Sequence, residues 1–579
     1  MEIALNCTRR LACQHHLRIR LSPFKLPSIR KIKYSVSHSQ LNIKLLRVRG
    51  FRCRTMASSC AIPCVPVKDK IDLTDKEKQI FDRLLEVLRD FNLQTQLRVA
   101  GGWVRDKLLG KECCDIDIAL DNMLGREFCE KVNEYLSQKG EEKQGIGVIQ
   151  CNPDQSKHLE TARMRLFGVW IDFVNLRSEH YSEDSRIPTM QFGTAKEDAY
   201  RRDLTINSLF YNINTSSVED FTSRGITDLK YGRIVTPLPP LETFLDDPLR
   251  VLRAIRFGAR FGFVLDEELK EAAASDKVKA AIADKVSRER IGHEIDLMIS
   301  GNQPLKAMNY VCDLQLFWVI FSLPDKYEPA LSEQCDRLCI DFMDAGRSLL
   351  QQIGLSTLND EERRLYLYGL LFLPLRKTIY YDAKGKKFPI VNYIFRNSLK
   401  LKASDAEMVM NLHKASERFI SLIHSVESNE DIKLAEGYSR REILDVPVNS
   451  RRRIVAGLLL RDIKGFWKVS LLMSTLLYSN DHDQNEDFPG RHFGLDKRKE
   501  LFCSVENMIV ELGLENVWEM KPLANGKDIM NILQLKSGGP QVKEWQQRLL
   551  EWQLAHPSGT AEECLDWMRQ TYSKRAKLG

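Results

Sequence analysis

Apolar positions just past residue 73 follow a helical period. Ile80, Phe81, Leu84, Leu85, Leu88 and Phe91 fall on one face. Thr74 and Glu77, in TDKE, supply a capping-box start. The period then changes. In LRVAGGWVRDKLLGKECCDIDIAL, residues 97–120, Leu97, Val99, Ile116 and Ile118 alternate with other residues, which is a strand signature. The stretch reads as a strand, a glycine turn, a short helix WVRDKLL and a second strand. An amphipathic helix is predicted over 127–138. Strand-like GVIQC (147–151), LETARMRL and VWIDFVNLR follow, with the polar loop NPDQSKH after the first. TAKEDAYRRDLTINSLFYNI (194–213) opens on a second capping box, Thr194 with Glu197, and reads as a helix. FLDDPLRVLRAIRFGAR (244–260) is predicted as one amphipathic helix, with Pro248 in its first turn and Leu249, Leu252 and Ile255 on its apolar face. Beyond about residue 300 the pattern is nearly all helix, interrupted at Pro324, Pro374, Gly437, Pro447, Pro489 and Pro522. GPQVKEWQQRLLEWQLAHP (539–557) is a Pro-started helix with Trp545, Leu549 and Trp552 as core positions.

A chain of 579 residues exceeds one core and implies several domains. Its 43% hydrophobic and 28% charged composition is that of a globular protein. No apolar run reaches the length of a membrane span, so no membrane partner is implied. The 14 cysteines include no CxxC pair, which argues against a zinc ribbon or a disulfide framework. Cys113, Cys114, Cys335 and Cys339 read as reduced thiols. The net charge of +7 conceals an asymmetry: residues 1–56 hold thirteen Arg or Lys and one acid, Glu2, a local +12 that leaves −5 for the rest. A basic, Ser-containing, acid-poor leader has the composition of an organelle transit peptide, read here in preference to a basic tail touching RNA. Met56 offers a second start, so the expected locations are mitochondrion or chloroplast for the long form and cytosol or nucleus for the short one. The mildly acidic remainder must bind nucleic acid through local basic stripes.

The chemistry concentrates in a few stretches. Gly101 and Gly102 permit a tight turn and close approach of backbone to a ligand. The helix that opens there can hold phosphate at its N-terminus, with Arg105 in reach as a forked donor. Asp115 and Asp117, two apart on a strand, face the same way and repel unless a cation sits between them. An oxygen-preferring divalent ion such as Mg²⁺ answers that need. Asp172 stands between Ile171 and Phe173. Arg201, Arg202, Asp203 and Asn207 cluster, with Asp203 and Asn207 at helical i, i+4 spacing. Arg250, Arg253 and Arg256 are spaced by three, along one side of a helix, with Asp247 three before Arg250. Cytosine and adenine each present an amino donor beside a ring-nitrogen acceptor. A carboxylate and a guanidinium read that pair together, whereas uracil and guanine leave polar groups unpaired, at a cost of orders of magnitude in selectivity. SRR at 439–441 and SRRR at 450–453, with Lys464 and Trp467, are either a grip on RNA phosphates or a solvated face. His413, His424 and His482 are isolated and read as core or surface histidines.

GGWVRD followed by DIDIAL resembles the first motif of the tRNA nucleotidyltransferase and bacterial-type poly(A) polymerase family, within the DNA polymerase beta-like superfamily. RRDLTINSL matches its second motif. EDFTSRGITDLKYGRIVTPLPP (219–240) resembles its linking motif, with Asp228–Leu229, although Val235 stands where many relatives have Arg. DDPLRVLRAIRF matches the motif that replaces a nucleic-acid template, and KVSRERIGHEIDLMI (285–299) resembles the last, a bracing helix. Arg288, Arg290 and Glu294 belong to that brace or are plain surface charges. The resemblance is close over about 95–300 and architectural beyond.

The resemblance implies an α+β fold: a polymerase-beta-like nucleotidyltransferase head with a small mixed sheet, then an all-α neck, body and tail. It implies divisions at 1–66 (leader), 67–230 (head), 231–300 (neck), 301–450 (body) and 451–579 (tail, tRNA-binding). It implies CCA addition to tRNA from CTP and ATP through two metal ions. Asp115 and Asp117 bind Mg²⁺, and Asp172 stands where the family commonly has Glu as a third catalytic carboxylate. Gly101, Gly102 and Arg105 hold the triphosphate. Arg202 contacts the nucleotide while Asp203 and Asn207 orient the sugar. Asp247 and Arg250 select the base, and Arg253 and Arg256 help hold the nucleotide and its phosphates. A poly(A) polymerase on the same scaffold, or a non-catalytic RNA-binding relative, is the alternative. Nothing in the sequence sets the oligomeric state.

Overall fold

The structure, a computed structural model, describes residues 65–113, 115–149, 161–182, 185–354, 358–428, 448–478 and 494–576. The basic leader, Cys114, the whole polar loop NPDQSKH with the first two residues of LETARMRL, the SRR cluster at 439–441, the breaks at Gly437, Pro447 and Pro489, and His482 lie outside them.

The head is built as its alternating pattern dictates. Helix α1 (Asp75–Asp90) starts on the Thr74–Glu77 capping box. Strand β1 (Leu97–Ala100), helix α2 (Gly102–Leu108), strand β2 (Ile116–Leu120) and helix α3 (Gly125–Gln138) follow. Strands β3 (Ile146–Ile149), β4 (Thr161–Leu166) and β5 (Val169–Asn175) come next. A hairpin, β6 (Arg177–Ser182) and β7 (Ser185–Phe192), leads to helix α4 (Ala195–Tyr200) and strands β8 (Phe210–Asn212) and β9 (Ser217–Glu219). The main sheet has order β3-β4-β5-β2-β1-β8-β9. It is mixed: β2 runs parallel to β5, with Asp117 beside Asp172, and the other pairs are antiparallel. One sheet face is apolar, with Val99, Ile118, Ile171 and Phe173 fully buried under α1 and α3. Glu77 does more than cap α1. It accepts hydrogen bonds from the Trp103 indole at 3.0 Å and Lys107 Nζ at 2.7 Å, tying α1 to α2.

Two expectations about helices fail locally. The helix expected to run on past 200 ends at Tyr200, and a 3₁₀ turn (Thr205–Asn207) leads into β8. Asp203 accepts its neighbour Leu204 N–H at 2.9 Å, the local competition that stops helices at Asp. The expected single helix over 244–260 is two, α6 (Pro240–Asp246) and α7 (Leu249–Phe261). Pro248 disfavours helical geometry in the residue before it, so Asp247 is extended and forms the corner. Gly262, left-handed at φ 75°, caps the far end of α7. A short parallel pair, Arg233–Ile234 with Val264–Leu265, brackets this neck.

The described residues beyond the neck are mainly helical, as the periodicity predicts, except for a three-stranded sheet of Tyr327–Glu328, Ile379–Tyr381 and Lys387–Pro389. Tyr380 packs on Phe388 and Tyr393 there, at ring separations of 5.8 and 5.3 Å. One apolar core extends from the head through these helices. A smaller one gathers Ile529, Trp545, Leu549, Trp552 and Met568 near the C-terminus. No described helix is long and apolar enough to cross a membrane. Two arginines of the SRRR cluster are engaged internally: Arg452 donates to the Ser425 carbonyl at 3.0 Å and Arg453 to that of Leu554 at 2.8 Å. Trp467 is buried. Cys335 and Cys339 are buried free thiols.

His413 belongs to this core, with Nε2 2.7 Å from the Gly369 carbonyl. Burial, more than the nearby Arg376, pulls its pKa down to about 4, against the Gly369 contact. Its folded value thus lies below its unfolded value of roughly 6.5. The neutral ring contributes stability above the unfolded value, and that stability is lost as pH falls toward 4. In urea unfolding, the wild type should lose about 3 kcal/mol more than His413→Gln between pH 7 and pH 4. Parallel profiles for the two proteins would refute this.

Candidate active site

Between the open sheet face and α7 lies a cavity of about 650 Å³. The head contributes Gly102, Arg105, Asp117, Arg202, Asp203 and Asn207 to its lining. The neck contributes Asp247, Arg250 and Arg253. The chain thus brings together residues as far apart as Gly102 and Arg253. Gly101, Asp115, Asp172 and Arg256 are not among the lining residues.

The glycine turn divides its duties. Gly101, at φ 72°, adopts a conformation side chains resist. A Cβ there would lie 2.7 Å from an Arg202 guanidinium nitrogen. Its own N–H is spent on the Leu209 carbonyl at 2.9 Å, so Gly102 is the member of the pair at the cavity wall. Arg105 differs from the open fork expected of it. It is buried, donates from Nε to Asp106 at 2.8 Å and also to Asn207, and lies over the rings of Phe257 and Phe261. It joins α2 to α7.

The acidic end is less compensated. Asp115 is exposed just ahead of β2, and Asp117 is half-buried on it. Burial, then repulsion from Asp115 and Asp172, pushes the Asp117 carboxyl up to about 6, with Arg202 and Arg163 pulling the other way. A carboxyl held that far up by burial and by like charges is where a hard cation gains most, so Asp115 and Asp117 fit a divalent metal. Asp172, beside Asp117 in register, is engaged by Arg163, whose Nη2 donates to it at 2.8 Å. Among the described residues no three His, Cys, Asp or Glu side chains form a ligand cluster.

The rest of the cleft is a lattice of paired charges. Asp198, fully buried, accepts from Arg201 Nε at 2.9 Å and Arg202 Nη2 at 2.8 Å. Burial alone would raise its pKa, but the two arginines reverse that and hold it below the usual range. Asp203 accepts from Arg253 Nε at 2.7 Å and Asn207 at 3.0 Å. Burial opposes its ionisation, yet the Arg253 charge and these bonds bring it down to about 2. Asp203 and Asn207 therefore do meet, across a 3₁₀ turn rather than along a helix. Asp247, at the neck corner, accepts from Leu249 N–H at 3.3 Å and Arg290 Nη2 at 3.0 Å. Arg250 donates to the Arg201 carbonyl at 2.7 Å. Arg256 lies outside the lining residues, and its Nε donates to Glu294 at 2.6 Å. Arg288 donates to the Val319 carbonyl at 2.9 Å. Arg288, Arg290 and Glu294 are thus all structural braces rather than surface charges.

Sequence reasoning missed Asp198 and Glu179. Asp198 was legible, standing three and four residues before Arg201 and Arg202 on a capped helix. Glu179 was not. It lies on the unpredicted β6–β7 hairpin, pairs with Arg177 at 3.2 Å along the same strand, and meets Arg201 at 3.0 Å only through the fold.

A cleft roomy enough for a nucleotide, lined by arginines and beside two carboxylates suited to a divalent cation, has what nucleotidyl transfer requires. Comparison with known proteins agrees. Residues 97–235 match the poly A polymerase head domain. The tRNA nucleotidyltransferase cca2 of Schizosaccharomyces pombe is 33% identical over 519 residues, 86% of this chain and 99% of that protein. The mitochondrial CCA tRNA nucleotidyltransferase of Saccharomyces cerevisiae is 34% identical over 563 residues, 90% of this chain and 97% of that one. Among solved structures, the Thermotoga maritima CCA-adding enzyme complexed with tRNA CCA has the same fold, with TM-score 0.53 at 19% identity over 86% of this chain and 96% of that one. The chain belongs to the tRNA nucleotidyltransferase family, whose enzymes generally use divalent metals.

The Asp203–Arg253 pair generates a stability prediction. Arg253→Ala leaves a buried carboxylate short of its cation and should cost about 2 kcal/mol, much of it recovered in the Asp203→Asn, Arg253→Ala double variant. Additive losses in a urea-unfolding cycle would contradict it.

Proposed function

We propose that this chain adds C, C and A to tRNA 3′ ends without a nucleic-acid template, from CTP and ATP, releasing pyrophosphate. The observation that carries this reading is one cavity holding both a base-reading pair, Asp247 and Arg250, and a metal-suited carboxylate, Asp117. Relatives named for CCA addition, alike over most of the chain, support it.

Asp247 accepts from the exocyclic amino group of cytosine or adenine, and Arg250 donates to the adjacent ring nitrogen. Both are pre-oriented by Arg290 and the Arg201 carbonyl, so little ordering remains for substrate binding. Asp203 and Asn207 hold the sugar, and Arg202 the nucleotide beside it. Gly102 and Arg105 form the wall for the triphosphate. Gly101 lets Arg202 approach, and Arg253 reaches the nucleotide from α7. Arg256 acts through Glu294 by fixing α7. Asp115 and Asp117 would hold the metal, Mg²⁺ in our reading, which when bound polarises the attacking 3′-hydroxyl and stabilises the leaving pyrophosphate. Asp172, leashed by Arg163, adds negative charge behind them. The division into head (67–230), neck (231–300), body (301–450) and tail (451–579) assigns base selection to the neck and tRNA grip to the tail. The separate core near the C-terminus supports an independently packed tail end.

The test is incubation of purified protein with tRNA lacking CCA and each labelled nucleotide. CTP and ATP should be incorporated and UTP and GTP not. Chelation of divalent metal, or Asp115→Ala with Asp117→Ala, should lower turnover by about three orders of magnitude or more. Long tails of A alone would establish a poly(A) polymerase instead, and RNA binding undiminished without any transfer a non-catalytic relative.

The mitochondrial names of two relatives support an organellar role. We read the basic leader as a transit peptide to mitochondrion or chloroplast, with initiation at Met56 giving a cytosolic or nuclear form. Two N-termini should appear across cell fractions. A single one throughout would discard the second start.

A further inference from the structure

The sheet face that carries the carboxylates continues outward into strands that the proposed chemistry does not use. Asp117 pairs in register with Asp172 of β5. One step back along that face on β5 is Trp170, two residues before Asp172 and so on the same side of the sheet. Asp115 precedes β2 by the same step, one residue beyond the register pair Ile116–Ile171. Trp170 thus stands on the strand next to the metal-suited pair, a strand spacing of about 4.8 Å away. It is 53% exposed. Directly opposite it on β4 is Arg165, an exposed cation, and opposite Asp172 is Arg163.

The local sequence holds this indole in place. β4 and β5 are joined by Phe167 and Gly168, both at positive φ (48° and 83°), the two-residue hairpin geometry that fixes register tightly. Arg165 Nε donates to the Gly168 carbonyl at 3.2 Å, lashing the arginine across the turn. Ile171 and Phe173, on the other face, are fully buried in the core, so β5 cannot turn Trp170 inward. An open, rigid tryptophan costs solvation. Beside a guanidinium and one step from catalytic carboxylates, it has the make-up of a base-stacking platform.

We propose that Trp170, with Arg165 at its side, stacks the 3′-terminal base of the acceptor RNA and so delivers its 3′-hydroxyl to Asp115 and Asp117. A nucleotide's base and its 3′-oxygen are separated by one sugar, the same scale as the step from β5 to β2. Stacking needs only a π-face, so the platform tolerates every base the growing end presents. Arg165 complements the adjoining phosphate. The incoming nucleotide occupies the cavity under α7 and does not touch this ledge. Trp170 is therefore a binding residue for the acceptor alone.

This rests on the reading of the chain as an RNA 3′-end nucleotidyltransferase. Steady-state rates with tRNA lacking CCA test it. Trp170→Ala should raise KM for the RNA by about 10- to 100-fold, the span of one lost base stack, and leave KM for CTP within about twofold. Trp170→Phe should restore most of the affinity. In the unaltered protein, an acceptor with an abasic 3′ nucleotide should lose a similar factor, and Trp170→Ala should lose little more on that substrate. RNA KM unchanged in Trp170→Ala, an equal rise in CTP KM, or full additivity with the abasic end would each overturn the platform. The abasic comparison in the unaltered protein stands even if the alanine variant folds poorly: an undiminished KM there refutes the proposal by itself. If the unaltered protein transfers no nucleotide at all, it is the broader reading that fails.

Discussion

The cleft depends on charge compensation out of water. Asp198, Asp203, Asp106 and Glu294 are all buried, and an isolated ion there would be prohibitively expensive. Each is met by an arginine, and several of these pairs join separate elements: Asp203 to Arg253 between head and α7, Glu294 to Arg256 between the bracing helix (Arg288–Ser300) and α7. Helix α7 is thereby fastened on two sides, through the head and the brace. Its apolar face, Leu252 and Ile255, is fully buried, and burial supplies the bulk of the packing energy. The ion pairs contribute direction instead. They determine which way each arginine points.

The same accounting distinguishes the two ends of the cleft. Where carboxylates are matched by arginines, as at Asp198 and Asp203, their pKa values fall. Where burial is joined by crowding from other carboxylates, as at Asp117, the value rises. Matched groups are positioned and inert. The crowded group is short of positive charge, and a divalent cation is the partner such a site lacks. The sheet imposes the crowding through register, by setting Asp117 beside Asp172 on parallel strands.

Further along the chain, cations that look available in the sequence are used up by the fold. Arg452 and Arg453 close the carbonyl ends of neighbouring helices, where unpaired acceptors would otherwise be left. A basic run in a helical region can be a fastening as readily as an RNA grip, and composition does not distinguish the two.

The sequence by itself determined the local order of elements and the motifs they carry. The capping boxes at Thr74 and Thr194, the alternation of Leu97, Val99, Ile116 and Ile118, and the GG turn are rules of neighbouring residues, and such rules survive in isolation. Charge pairs within one helical turn, such as Asp198 with Arg201 and Arg202, were equally legible there. Only the tertiary structure decided what each side chain meets. It brought Glu179 to Arg201 through an unforeseen hairpin, took Arg105 out of solvent, and paired Arg256 with Glu294. Those outcomes depend on contacts between residues tens of positions apart, and desolvation decides them. No window of sequence contains the burial that sets its cost.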